Sequence, residues 1–275
     1  MNTLYSDFES IDDVLAVASL PLPDGSSDSS VSNGAEEEWD LSLGYQGAMD
    51  AYTGGWSEGA RKAQDLADTL TPRPRASRTT LRSSVAGGFP NIGAHLAGAP
   101  MSMYTVGKKA AQGKPFVHIV VPIAYSCRIK AETAFSQGCA MVALIDAMEN
   151  AGCRVKVTLV RASDLHSNSR YAMRFAVKDY SDRLDLDQVM FTAAHPAFFR
   201  RIVFALQERS EHKAARDQTQ RGYGSACSVL AEDVPEDGNA IRVILPSLTR
   251  NGGTPETFLA AMVNSLPEDI QTEIA

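Results

Sequence analysis

Several features that would announce a function are missing from this chain of 275 residues. There is no G-x-x-x-x-G-K-[ST], which excludes a P-loop, and no G-x-G-x-x-G behind a strand-like run, which leaves a Rossmann nucleotide site without its fingerprint. The five histidines (His95, His118, His166, His195, His212) include no H-E-x-x-H and no cysteine at zinc spacing, so no metal is expected from them. G-Y-G-S-A at 222–226 is not the G-x-S-x-G of a nucleophile elbow. The four cysteines (Cys127, Cys139, Cys153, Cys227) are scattered without a C-x-x-C and read as free thiols in a reducing compartment. No apolar run approaches the roughly 18 residues that span a bilayer. The acidic N-terminus has no basic stretch followed by an apolar one, so neither a signal peptide nor a membrane partner is expected, and the localisation reads as cytoplasmic.

One absence is positional. Residues 1–60 contain twelve Asp and Glu and not one Lys or Arg. The remaining residues carry 26 basic and 21 acidic groups, so an acidic head precedes a mildly basic body. Such a head can solvate, bind a partner, or cover a basic surface of its own chain.

What is there reads as α/β. Phe116–Val160 has the pattern strand, loop, long helix, strand: a β-branched run at 116–123, a helix over 130–151 stopped by Gly152, and a second run at 153–161. Two buried strands joined by such a crossover form a parallel βαβ unit, and open α/β sheets bind ligands at the carboxyl ends of their strands. That places a rim at Tyr125, Ser126, Arg128, Asp164 and Thr249. Residues 170–178 predict an antiparallel edge strand, 184–194 and 197–209 helices, 240–245 a strand, and 255–266 a helix capped by Thr254 with Pro255 at its first turn. Upstream, Phe8, Ile11, Val14, Leu15 and Ala18 suggest an acidic helix within 1–19. The stretch 24–38 is low in complexity and expected to be disordered. Helices are predicted at 43–52 and 58–70, an arginine-rich extended linker at 71–82, and a loop around a short helix (91–97) over 83–107. The expected organisation is therefore an acidic, largely disordered N-terminus (1–38), a helical extension with linker (39–113), and an α/β domain (114–275).

Chemistry is sparse. A Ser126 nucleophile with His195 as base and Asp164 or Asp146 as orienter can be drawn, although no spacing demands it. His118 reads as a hydrogen-bonded histidine within a strand. Asp182, Asp185 and Asp187 could hold a cation or cap a helix. No catalytic residue, metal or cofactor is expected. Arg73, Arg75, Arg78, Arg82, Lys108, Lys109, Arg200 and Arg201, the last two beside Phe198 and Phe199, could contact single-stranded nucleic acid.

The order β-α-β-β-α-α-β-α over 114–266, with one antiparallel edge strand, resembles a von Willebrand factor A domain. That resemblance implies a doubly wound, mainly parallel sheet with a metal site at the strand carboxyl ends. The family's metal loop reads Asp-x-Ser-x-Ser; this chain has Pro122, Ala124 and Ser126, without the anionic ligand a hard cation needs. Gly252-Gly253-Thr254 is similar to the family's Gly-Gly-Thr loop but follows the last strand. The segments WDLSLGYQGAMD, GWSEGARKAQDLAD, GGFPNIGAHLAGAP and LDLDQVMFTAAHPAFFRR are similar to tailed-bacteriophage proteins of unknown function, which implies a phage origin and a host-cell cytoplasm. Together these suggest a non-enzymatic adaptor holding a protein partner, an AAA+ ATPase or a polymerase assembly. The alternative is a single-stranded nucleic-acid-binding factor that recruits a polymerase.

Overall fold

The structure is a computed structural model and describes residues 2–24, 26–61, 65, 80–86, 88–107, 115–165 and 169–274. It divides into two units, Met1–Thr71 with Pro115–Ala275, and Pro72–Lys114.

The first unit is built on a mixed, mostly parallel sheet. Its strands are β1 (Asn2–Phe8), β7 (Ser169–Lys178), β6 (Arg154–Asp164), β5 (Phe116–Pro122) and β9 (Ile241–Ile244), in that spatial order, with the two-residue β8 (Ser225–Ala226) on the end of β6. β6, β5 and β9 are mutually parallel, β7 is antiparallel to β6, and β1 is parallel to β7. The crossover helix Ala131–Ala151 joins β5 to β6 as the βαβ pattern requires, and ends where Gly152 takes the left-handed conformation (φ 96°). Its Gly138 lets the helix Leu186–Ala194 approach closely. A Cβ there would lie 2.1 Å from the Cα of Ala194, so any side chain would push the two helices apart.

Alternation along the strands sorts the sheet into two faces. Val117, Ile119 and Val121 of β5 and Val155, Val157 and Leu159 of β6 pack into one large core with Val14, Leu144, Met190, Phe198, Leu206 and Met262 of the helices. Val120, Val160 and Ala162 point the other way and meet only Val229, Val234, Cys227 and Ile244. The helices therefore cover one face, and the segment that follows β8 covers the other. This departs from the doubly wound expectation: the helices between β7 and β8 pack on the same face as the β5–β6 crossover helix, and the stretch between β8 and β9 covers the other face.

Three further expectations fail, for identifiable reasons. Residues 170–178 do form an antiparallel strand, but β7 is not the edge, because β1 pairs alongside it. Phe8, read as helical, is the last strand residue; its ring stacks on Phe175 at 4.9 Å, and Ser6 meets the Tyr171 hydroxyl at 3.0 Å. The helix begins only at Ile11, after Ser10 has accepted the Asp13 amide as N-cap. Residues 26–38, expected to be disordered, carry two short helices, Ser29–Ser32 and Glu37–Asp40, held from outside the segment as described below.

The second unit holds a three-stranded antiparallel sheet of β2 (Thr80–Ser84), β4 (Met103–Gly107) and β3 (Phe89–Pro90), where a loop was expected. The predicted short helix is present as Ile92–Leu96, capped by Asn91. The predicted helix at 58–70 opens at Ser57 and is described to Arg61; most of its remainder lies outside the described residues. No single helix among the described residues is long and apolar enough to cross a membrane.

Candidate functional site

The carboxyl ends of β5 and β9 carry two loops, 123–130 and 245–254, and one side chain ties them. Asn251 Nδ2 donates to the Arg128 carbonyl (2.8 Å), and Asn251 Oδ1 accepts the Lys130 amide (2.6 Å). Beneath this bridge Ile129, Ala134 and Leu248 form a small apolar cluster with Tyr125 and Phe258 against it. Beside it lies a cleft of about 460 Å³ lined by Ser247, Thr249, Arg250, Asn251, Thr257 and Phe258, among others. Gln137 donates to the Pro246 carbonyl (2.9 Å) and fixes the start of the second loop. Gly253 (φ 105°) turns the chain into the helix Pro255–Asn264; a Cβ there would strike the Phe258 ring at 2.8 Å. Thr254 caps that helix and Pro255 opens it, as its sequence predicts.

The expected rim residues separate under this geometry. Ser126, Arg128 and Thr249 are exposed, as are Lys130 and Arg250; of these, Arg128 and Lys130 are bound by the Asn251 bridge through their backbones. Tyr125 sits behind them. Its ring packs on Phe199 at 4.8 Å and faces the Arg200 guanidinium at 5.1 Å. Burial, against the opposing pull of that cation, pushes its phenol up to about 12. Asp164 belongs elsewhere: it ends β6, registered against Arg170 of β7 and Ser225 of β8. Asn251, the residue that organises the rim, was missed; a lone Asn in a Gly-rich loop carries no distinguishing signal.

The hydrolytic triad is not assembled. Ser126 Oγ accepts the Arg128 amide (3.3 Å), and Asp146 accepts from Asn150 (3.0 Å). His195 is buried, its Nδ1 accepting the Ala197 amide (3.1 Å) and its ring against Trp56 and Phe191. Burial depresses its pKa to about 4, so it stays neutral. His118 is also buried, with Nε2 2.8 Å from Thr158 Oγ1 and Nδ1 3.6 Å from Asp237; burial and then Lys156 hold its pKa at about 4. The aspartate cluster is capping: Asp185 accepts the Gln188 amide at the start of Leu186–Ala194, and Asp182 accepts the Asp179 amide. Among the described residues no group of three or more His, Cys, Asp or Glu is placed to hold a metal ion.

Arg200 and Arg201 overturn the nucleic-acid expectation at their own positions. Both are 1 % exposed, on a π-helical stretch, Phe198–Val203, a rare form that widens the helix. Arg201 Nε pairs with the fully buried Asp40 (2.6 Å), and its other nitrogens donate to the carbonyls of Ser30, Asn33 and Gly34. Arg200 donates to the carbonyls of Trp39 (2.7 Å) and Ile129 and stacks on the Trp39 ring at 4.3 Å. Asp40 in turn accepts the amides of Glu36 and Gly44. About two turns further on, buried Glu208 accepts the Ser30 amide (3.1 Å) and hydroxyl (2.6 Å) and the Tyr223 hydroxyl. The acidic head is thus latched onto Arg200, Arg201 and Glu208, and Arg200 also reaches the rim loop. The latch had a readable signal. Three charges in the apolar run FFRRIVFALQE require partners, because an unpaired buried charge is prohibitively costly.

Of the other expected nucleic-acid contacts, Arg73, Arg75, Arg78, Lys108 and Lys109 lie outside the described residues. Arg82 is on β2, opposite Thr105.

The model of a protein family described as a domain of unknown function (DUF7192) matches residues 2–268, running from β1 through the latch, the second unit and the rim. The chain belongs to the DUF7192 family. No curated protein and no solved structure matches this DUF7192 chain.

Proposed function

We propose that this chain is an adaptor that seats an acidic segment of a protein partner on the rim at the ends of β5 and β9. The observation that carries this reading is the Asn251 bridge. It holds two loops in one arrangement and leaves Arg128, Lys130 and Arg250 exposed around a cleft lined by Ser247, Thr249 and Phe258. A surface pre-organised in this way binds without having to order its loops first, which lowers the cost of association. Its bases favour an acidic ligand by steering and complementarity. In this reading the rim stands where a von Willebrand A domain carries its metal loop, although the helices here lie on one face of the sheet, and with Pro122 and Ala124 in place of metal-binding residues the rim serves contact. A phage-type accessory role, with a partner belonging to an ATPase or polymerase assembly, is what the resemblance adds. Single-strand binding is the weaker reading, because burial of Arg200 and Arg201 leaves it without its aromatic-flanked pair.

The test is affinity capture of the tagged chain from its native cells, with and without nuclease, against the Arg128→Glu/Arg250→Glu variant. The reading expects nuclease-resistant proteins whose recovery drops about tenfold or more in the variant, as reversed interfacial charges require. Equal recovery with both chains, or a set lost on nuclease treatment, would overturn it.

A further inference from the structure

The second unit presents an apolar surface that its own fold does not cover. Among the described residues, nine large hydrophobic side chains are exposed, and five of them fall within seventeen residues: Val85 (74 %), Phe89 (57 %), Ile92 (67 %), Leu96 (81 %) and Met101 (54 %). Ile92 and Leu96 are one turn apart on one face of their helix. No residue of this unit whose side chain is described is buried. Exposed apolar groups this concentrated mark an interaction site.

Charge identifies the occupant. By sequence, residues 72–114 contain seven Lys and Arg and no Asp or Glu, so the apolar patch is flanked in sequence by bases alone. The chain carries the complementary surface itself. Of the twelve acids in residues 1–60, only Asp40 is buried; Glu9, Asp12, Asp13, Asp24, Asp28 and Glu36, Glu37 and Glu38 are exposed. The same acidic head exposes Leu20 (49 %) and Val31 (36 %), two of the remaining exposed hydrophobics. Its backbone is held in place by the Arg201 and Glu208 latch, so it is a fixed surface.

We infer that the patch around Ile92 and Leu96 docks on the acidic head of a second copy of this chain. Two different surfaces meet in such a contact. It is heterologous, the pair keeps one free patch on one copy and one free head on the other, and association proceeds head to tail into a ring or filament. The rim at Asn251 is not used, so this inference stands apart from the adaptor reading.

Two variants decide it by light scattering on a sizing column. Ile92→Asp/Leu96→Asp breaks the patch, and Glu36→Lys/Glu37→Lys/Glu38→Lys reverses the head. All five positions are exposed, and circular dichroism of each variant should match the parent. The parent chain should run above its 29.6 kDa monomer mass, and each variant alone should run at that mass. Mixed, the two variants retain one intact patch and one intact head between them, and should form a 1:1 dimer that goes no further. About 1 M salt, where the Debye length is about 3 Å, should weaken that dimer. A parent chain that stays monomeric would overturn the inference. So would a head variant that associates as well as the parent, or a mixture of the two folded variants that stays monomeric.

Discussion

Residues 28–44 and residues 80–107 make an instructive pair. Composition reads 24–38, rich in Ser and Glu, as disordered, and 83–107, rich in Gly and small residues, as a loop around one short helix. In the structure the first contributes two buried residues, Ser30 and Asp40, to the main unit. The second forms a regular three-stranded sheet, yet none of its described side chains is buried. Regular hydrogen bonding and burial are thus separable. The Ser-rich segment is fixed because Arg201, Arg200 and Glu208, more than 150 positions away in sequence, supply buried partners to its backbone. The 80–107 sheet pairs its strands with one another and leaves its apolar side chains exposed.

The largest way to break this contrast is Arg201→Ala. It removes the partner of a carboxylate that is fully buried and strips the donors from three carbonyls. Breaking a buried pair in this way costs about 3–5 kcal/mol, which urea denaturation would read as a large fall in midpoint. The double variant Arg201→Ala/Asp40→Ala should cost less than the sum of the two single changes, since the second no longer strands a charge. An additive double would show that the pair does not act as a latch.

Acid should loosen the main unit next. His118 and His195 are held neutral in the folded state with pKa values of about 4, against about 6.5 for the unfolded chain. Above pH 6.5 neither state binds the proton and nothing is lost. As pH falls from about 6.5 to about 4, the unfolded chain takes up protons that the folded one refuses, and stability falls by roughly 1.4 kcal/mol per pH unit for each histidine. His195→Asn keeps an acceptor for the Ala197 amide and removes one titration, so its urea midpoint should shift less between about pH 7 and about pH 5. An unchanged pH slope would contradict the neutral burial of this ring.

The smallest effect sharpens the other side of the comparison. Ile92→Ser/Leu96→Ser changes two apolar residues, but both are exposed, so the stability of the monomeric chain should move by no more than about 0.5 kcal/mol. The same change should weaken self-association.

The sequence made the βαβ unit legible to within three residues, because β5, its crossover helix and β6 are each long, strongly patterned and locally terminated by Pro122 and Gly152. The cap at Thr254 was legible too, whereas the helix Leu186–Ala194 is capped by Asp185, expected only as N-terminal charge, and not by Asp182. Strand β1 was hidden because its seven residues are mostly polar, and its partner, β7, lies more than 160 positions away. The one-sided placement of the helices follows from the path between β7 and β9, which no local period encodes. At the rim, Ser126, Arg128 and Thr249 were placed by the rule that α/β sheets bind at strand ends. Asn251, which ties the Arg128–Lys130 loop to its own, acts only through contacts across more than 120 residues. Arg200 and Arg201 were misassigned because neighbouring Phe198 and Phe199 suggested base stacking, when those rings are core.

The most direct test of the central claim, that buried partners fix the acidic head while the 80–107 sheet stands uncovered, is hydrogen exchange of the native chain read by mass spectrometry. The account predicts slow exchange at Ser30, Ser32, Asp40 and Gly44, whose amides donate within the latch, approaching that of the long helix Ala131–Ala151. It predicts fast exchange across 80–107 in the dilute monomer. Exchange across 28–44 as fast as across 80–107 would mean that the latch does not hold, and would contradict the account.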